Sequence, residues 1–388
     1  MPTFNRTLSA AILIIILILF PDLANCQSVP LKVRLFSGKQ IKAVNLCAVS
    51  GIYNMKSGNK ALGSLKTSSK CTLKLENGQI KLEKSGKIYG SFNNISLTPK
   101  GPQPILNIKS NAEDRNYEGA FTIKILNGDL LIINNIELEK YVAGVVESEG
   151  GDAHNTEFYK LQCMISRTYA VKNLRKHEAE GFNFCDQVHC QHYKERGRYS
   201  DVLLARDATK GKVIVDQYGN LISAAFHANS GGETVSAEDV WSFKENYLKG
   251  INDTFSTKMT KAKWEKKIKT EDFLSILKSK YNYPVDNKIM RDSAITFTQI
   301  HRKLVFPGGI ALKALRIDLD LRSTYFSIEP NVDSLTFHGN GYGHGVGLSQ
   351  EGALQMARTG YSSDQILNFY YNNVKIQRLE KNMIPKKP

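Results

Sequence analysis

The chain has 388 residues, 41% of them hydrophobic and 23% charged, enough for two or three domains with at least one substantial core. That ordinary composition excludes fibrous, low-complexity and disordered classes. The formal charge of +15 points to polyanionic partners, and no nucleic-acid-binding signature accompanies it, so envelope polymers and anionic headgroups are the polyanions expected.

The N-terminal stretch MPTFNRTLSAAILIIILILFPDLANCQS places Arg6 before an apolar run from Leu8 to Phe20, closed by Pro21. The run is shorter than the roughly 20 residues that span a bilayer. Residues 1–26 therefore read as a signal peptide, and the protein as exported to the periplasm or cell envelope. A retained membrane anchor is the other reading, and LANC before Gln27 half-resembles a lipoprotein cleavage box.

Residues 28–112 alternate short apolar runs with turn signals and predict a β-rich N-terminal domain. Asn77-Gly78 lies between alternating runs, a hairpin signal, and Asn127-Gly128 repeats it. Cys47 and Cys71 share this region, where an oxidising compartment allows them to pair. Pro102, Pro104 and the polar stretch 109–116 suggest a boundary, with a second domain over 113–377 and a basic tail over 378–388.

After Ile136 the period changes. ELEKYVAGVV and EFYKLQCMISRTYAVKNLRK space apolar residues three and four apart, as packed helices do. Phe158, Leu161, Ile165 and Tyr169 form the buried stripe of the second helix, and Cys163 is a buried thiol within it. Between the helices, ESEGGDAHN reads as a loop carrying Glu147 and Glu149. GKVIVDQYGNLISAAFHANSGGETVSA reads as β-rich, DFLSILKSKY as helical, and 297–330 as strands. Ser349 is placed to cap a helix ending at Gly360, and Ser362 to Gln365 is a capping box for a last one. The class is α+β, and its element order does not suggest a parallel βαβ sheet.

The densest signal is HGNGYGHGVGLSQEGALQMA, with glycine at every second position from Gly339 to Gly347. Ordered glycine costs conformational entropy, so such a run implies close approach of something to the backbone. It is neither a dinucleotide fingerprint nor a phosphate-binding loop, because the third glycine and the Gly-Lys-Ser/Thr are missing. A polysaccharide lying on bare backbone and a tight crossing of strands both fit.

Three further stretches complete a pattern: YVAGVVESEGG, LQCMISRTYAV and FHANSGGETVSAEDVW. In this order, with GYGHGVGLSQEGA, they resemble the stage II sporulation protein D family of peptidoglycan lytic transglycosylases and amidase enhancers. The resemblance covers about residues 115–376. It implies a core domain with a glycan-binding groove and cleavage of the MurNAc-β-1,4-GlcNAc bond, in strands already stripped of peptides. Glu149 is then the catalytic acid and base, needing a raised pKa. Arg167 either positions Glu149 or binds substrate, and a surface salt bridge is the other reading. His227, Ser230, Gly231, Gly232, Tyr342, His344 and Gln350 line the groove. Gly150-Gly151-Asp152 departs from the family's Met-Pro after the glutamate, which leaves open the second role, a non-catalytic enhancer of an N-acetylmuramoyl-L-alanine amidase. No cofactor is required for the chemistry.

His177, Cys185, His189, Cys190 and His192 form one more cluster. Zinc takes four Cys or His ligands, and Cys-x3-His-Cys offers three. Relatives in the resembled family hold zinc here, which favours a structural zinc on Cys185, His189 and Cys190 with His177, rather than His192, as fourth ligand. A Cys185–Cys190 disulfide is the rival.

Overall fold

The computed structural model describes residues 29–385 apart from positions 68, 112 and 242; the expected leader and Cys26 lie outside them. Strands β1 (Pro30–Leu35), β2 (Ala43–Ser57), β3 (Lys60–Lys66), β4 (Lys70–Glu76), β5 (Gln79–Lys84), β6 (Lys87–Phe92), β7 (Asn94–Lys109), β8 (Asp114–Glu118), β9 (Ala120–Leu126) and β10 (Asp129–Glu137) belong to one sheet. The Asn-Gly turns do what their chemistry allows. Asn77 and Gly78 take φ of 49° and 72°, Asn127 and Gly128 51° and 76°, and each pair closes a hairpin. Period-2 alternation puts Leu73 opposite Leu82 on the buried face.

Beyond β10 come α1 (Leu138–Gly150), α2 (Thr156–Lys172), β11 (Phe184–Cys185), α3 (Ser200–Ala208), β12 (Lys212–Val215) and β13 (Phe226–His227). The sheet order is β11-β1-β10-β9-β7-β2-β4-β5-β6. β7, which ends at Lys109, pairs with β8 and β9, so one sheet holds strands from both sides of the expected boundary. A single apolar core joins Leu31, Val33 and Ile123 to Val142, Val145 and Leu161 of the helices. Cys47 stands opposite Lys70, whereas Cys71 stands opposite Leu46 and is buried. The two thiols thus face opposite sides of the sheet, and both are free.

The remaining elements are α4 (Ala237–Val240), β14 (Lys263–Lys269), α5 (Thr270–Tyr281), α6 (Lys288–Ile295), β15 (Val305–Phe306), β16 (Ile310–Ala311), α7 (Leu312–Asp318), β17 (Tyr325–Pro330), β18 (Ser334–Asn340), β19 (Leu348–Ser349), α8 (Gln350–Arg358), α9 (Ser363–Tyr370) and β20 (Lys375–Arg378). Residues 264–337 build a second apolar core around Phe273, Phe297, Phe306, Phe326 and Phe337. Within 297–330, expected as strands, LKALRID forms α7 instead, burying Leu312 and Leu315 on one face. Ser349 caps α8, and Ser362 with Gln365 forms the capping box of α9. The expected tail starts inside a strand: Arg378 pairs with Lys212, and Leu379 donates its N–H to Gly211 O at 2.7 Å. The architecture is α+β. Among the described residues no helix is long and apolar enough to cross a membrane.

Candidate functional site

The two glutamates of ESEGG lie on the last turn of α1, not in a loop, because the helix continues through Gly150. An extended segment, 192–199, is clamped along that turn. His192 N–H donates to Glu149 Oε1 at 2.9 Å, Lys194 N–H to Ser148 Oγ at 3.1 Å, and Arg198 and Tyr199 N–H to Glu147 Oε2 at 2.7 and 2.8 Å. Glycine makes the crossing possible. A Cβ on Gly144 would overlap Tyr193 and Glu195, and one on Gly197 would fall 2.7 Å from Ala143 Cβ. Glu147 is consumed by the backbone of Arg198 and Tyr199, just before α3, and by Arg198 Nε at 3.1 Å, whereas Glu149 keeps a half-buried carboxyl with this backbone donor.

Burial raises the Glu149 pKa, while the His192 N–H and then the charges of Lys261 and Lys194 pull it back down. Gly150-Gly151-Asp152 is tied to α2: Tyr159 OH donates to Gly151 O at 2.7 Å and accepts from His154 N–H at 3.3 Å.

Arg167 is a different matter. It is 0% exposed, and its fork grips Glu139 in the first turn of α1, Nε to Oε1 at 2.9 Å and Nη2 to Oε2 at 2.6 Å. Nη1 donates to Lys212 O at 2.9 Å. Glu139 lies ten residues before Glu149, about 15 Å along the helix at its standard rise. Arg167 thus pins α2 to α1 and β12, and neither positions Glu149 nor faces a groove.

The glycine stretch crosses the segment 225–231. Tyr342 and Asn229 exchange backbone hydrogen bonds at 2.8 and 3.1 Å. A Cβ on Gly341 would stand 2.7 Å from Asn229 O, one on Gly343 2.7 Å from His227 Cβ, and one on Gly231 2.6 Å from Gly341 N. Gly347 presses on Ala225 and Gly339 on the Trp264 ring. The alternate glycines are therefore filled by the protein's own chain, the strand-crossing reading rather than the sugar-floor reading.

This crossing buries several residues expected in the groove. Ser230 is fully buried, its Oγ donating to Asp253 Oδ2 at 2.7 Å, and Gly232 N–H donates to it. His227 is 4% exposed, with Nδ1 at 3.1 Å from Val346 O and Nε2 lacking a partner. His344 accepts Val346 N–H at Nδ1, which leaves the proton on Nε2 to reach Phe226 O at 3.0 Å. Burial pushes its pKa down to about 4. Gln350 opens α8, its Nε2 buried and unpartnered. Tyr342 is 42% exposed beneath the Arg322 guanidinium.

Four metal-ligating side chains converge elsewhere: the ligand atoms of His177, Cys185, His189 and Cys190 all lie within 4.8 Å of one another. Cys190 Sγ is 3.4 Å from His177 Nε2, and both thiols are 3.8 Å from His189 Nδ1. A zinc tetrahedron separates neighbouring N and S ligands by about 3.4–3.8 Å, so the donor set and spacing fit. Glu180 engages His177 Nδ1 and leaves Nε2 for a metal. Both cysteines are free, and His192 stands apart, its backbone at Glu149.

The donor to Glu149 is a backbone N–H, which no residue type announces. Glu139 and Asp253 were equally silent in the sequence, single acids whose partners lie far along the chain.

Comparison with known proteins places this geometry. Residues 126–215, which hold Glu149, Arg167 and the Cys/His cluster, match the family model described as Stage II sporulation protein. The chain is similar to the amidase enhancer of Bacillus subtilis (strain 168), 27% identical over 355 residues, 77% of this chain and 48% of that protein. It is similar to stage II sporulation protein D of Bacillus amyloliquefaciens, 30% identical over 289 residues, 69% of this chain and 82% of the relative. Stage II sporulation protein D of Bacillus subtilis (strain 168) is 30% identical over 268 residues, 64% of this chain and 76% of its own. Likeness of that extent, over the segment that builds the clamp on Glu149, means that the chain belongs to the stage II sporulation protein D family.

Proposed function

We propose that this protein acts on the cell wall as a peptidoglycan lytic transglycosylase, with Glu149 as its acid and base. The observation that supports it is the half-buried Glu149 carboxyl at the clamped end of α1, its pKa raised by burial. Such a group holds a proton at the start and takes one back later. It donates to the bridging oxygen as the C1–O bond of N-acetylmuramic acid breaks. The C6 hydroxyl of the same sugar then attacks C1 and gives its proton to the Glu149 carboxylate. The products are a 1,6-anhydro end and a new hydroxyl, and no water is consumed.

The protein works outside the cytoplasm, in the periplasm or envelope, on peptide-stripped strands; the N-terminal apolar run supports export. His177, Cys185, His189 and Cys190 would hold a structural zinc that ties down the loop leading to His192 and takes no part in the chemistry. The likeness to an amidase enhancer favours a second reading, in which the protein binds wall and stimulates an amidase. Mass spectrometry of peptide-free glycan strands after incubation with the protein separates the two. Anhydromuramic ends that disappear with Glu149→Gln are expected; intact strands with the folded wild-type protein, and stimulation of an added amidase, would replace the first reading by the second.

A further inference from the structure

A polar cavity of about 430 Å³ opens between β14, the end of α7 with the segment that follows it, and Tyr342. Its walls carry three cations, Lys266, Arg316 and Arg322, and two acids, Glu265 and Asp320. Both acids already have partners. Glu265 holds His338 Nδ1 at 2.9 Å, and Asp320 lies 3.5 Å from Lys266 Nζ, which also donates to Leu319 O at 2.8 Å. The two arginines are not so matched: among the described residues no carboxylate forms an ion pair with either.

Arg316 is half-buried and oriented by Nε donating to Leu321 O at 3.1 Å, which leaves the rest of its fork toward the cavity. Arg322 is exposed, its guanidinium carbon 5.7 Å from the centre of the Tyr342 ring. Uncompensated guanidiniums at a cavity wall are a ready receptor for a planar carboxylate, which they grip through two parallel hydrogen bonds. The volume falls in the range of small-ligand sites, and the exposed Tyr342 ring supplies a flat face beside the charge.

The cavity is linked along the chain to a charge that acts on Glu149. Lys261 is one of the charges felt by the Glu149 carboxyl, and Trp264 of the cavity wall follows three residues later, at most about 11 Å along the chain. Gly341 N–H, beside Tyr342, donates to Ala262 O at 2.8 Å.

We infer that this cavity is a carboxylate subsite for the glycan. Arg316 and Arg322 take the lactyl carboxylate of a muramic acid ring that has lost its peptide, and Tyr342 lies against the sugar. The inference rests on the glycan reading of the site and adds a reason for selectivity. The lactyl group carries a charge only when no amide joins it to a peptide, so the subsite distinguishes stripped from decorated strands by chemistry and not by size alone. Chitin-like strands, with the same ring and no lactyl group, offer the arginines nothing.

The test is calorimetric titration of the full exported chain carrying Glu149→Gln, which removes turnover. Three ligands are compared: a peptide-free GlcNAc-MurNAc tetrasaccharide, chitotetraose, and the tetrasaccharide bearing dipeptides on its lactyl groups. The peptide-free ligand is expected to bind about tenfold tighter than chitotetraose, as a charge-assisted bidentate contact allows. Arg322→Gln, at an exposed position, erases that preference and leaves chitotetraose binding within about twofold, with an unchanged melting midpoint confirming the fold. Arg322→Lys restores only part of it, because a point charge lacks the fork.

Equal affinity for peptide-free ligand and chitotetraose, insensitive to Arg322, overturns the subsite and leaves the glycan reading intact. Dipeptide-bearing ligand binding as tightly, and through Arg322, assigns the pocket to a peptide carboxylate and overturns the lactyl assignment. Binding of none of the three sinks the glycan reading with it.

Discussion

Replacing Arg167 by methionine is the sharpest test of the site's construction. The side chain is 0% exposed and makes a two-pronged ion pair with Glu139 at 2.9 and 2.6 Å, with a third bond to Lys212 O at 2.9 Å. Methionine keeps the apolar stem but leaves the Glu139 carboxylate, whose side chain is 20% exposed, without its cation, and Lys212 O without its donor. Removing one partner of such a pair costs about 3–5 kcal/mol, mostly the stranded charge. Urea unfolding at pH 7 should show that loss as a lower midpoint at constant slope. The double variant Arg167→Met/Glu139→Leu should recover at least about half of it, because no charge is then stranded. An Arg167→Met variant with an unchanged midpoint but weakened glycan binding would refute this reasoning and return Arg167 to the substrate.

The crossing of the glycine stretch makes a second prediction. Gly341→Ala drives a Cβ to 2.7 Å from Asn229 O at a φ of 77°, costing about 2–4 kcal/mol in a thermal melt, whereas Gly360→Ala, at φ 95° in open space, should cost about 1 kcal/mol; equal losses would deny the crossing. His344, held down at about 4 by burial against about 6.5 unfolded, contributes stability that is complete above pH 6.5 and lost as pH falls toward 4. The loss is at most about 3 kcal/mol, reduced by its partial exposure, and His344→Gln should flatten that part of the stability–pH curve; an unchanged curve contradicts the assignment. In the proposed mechanism Glu149 starts protonated, and its pKa is raised, so turnover should fall as pH rises through a value above the ordinary glutamate range; an alkaline limb at the ordinary value would mean a solvated acid. Chelation should release one zinc per chain and lower the melting midpoint, an effect absent in Cys190→Ser; a wild-type protein that carries no metal and melts unchanged with chelator removes the structural zinc.

What the sequence disclosed and what it hid divide along one line, the sequence distance between partners. Asn77-Gly78 and Asn127-Gly128 announce their hairpins because a turn is made by its own residues. Ser362 and Gln365 announce a capping box for the same reason. The Cys/His cluster was legible because three of its members sit within six residues, and His177 is close upstream. By contrast, most occupants of the glycine stretch belong to a segment more than a hundred residues earlier, so the stretch could tell of close approach but not of what approaches. Arg167 carries a family motif, yet its partner Glu139 lies on another helix and nothing local marks the pair. Gly150-Gly151 suggested a loop, while the tertiary clamp of 192–199 lets α1 run on through Gly150. The second core is likewise a meeting of distant phenylalanines, invisible to periodicity.

The place of β1 in the sheet has a consequence for the order of folding. The strand pairs with β10 on one side and, in parallel, with β11 on the other, and Lys32 N–H reaches Asn183 across 151 residues. Vectorial synthesis delivers β1 first and leaves it solitary until β10 emerges, and contacts of such separation close slowly because the loop entropy comes before the reward. Cys185 belongs to the strand that docks on β1, and His192 follows a few residues later. The hydrogen-bond donor that Glu149 receives is therefore assembled late, and a nascent chain carries Glu149 as an ordinary solvated glutamate until β11 has docked on β1.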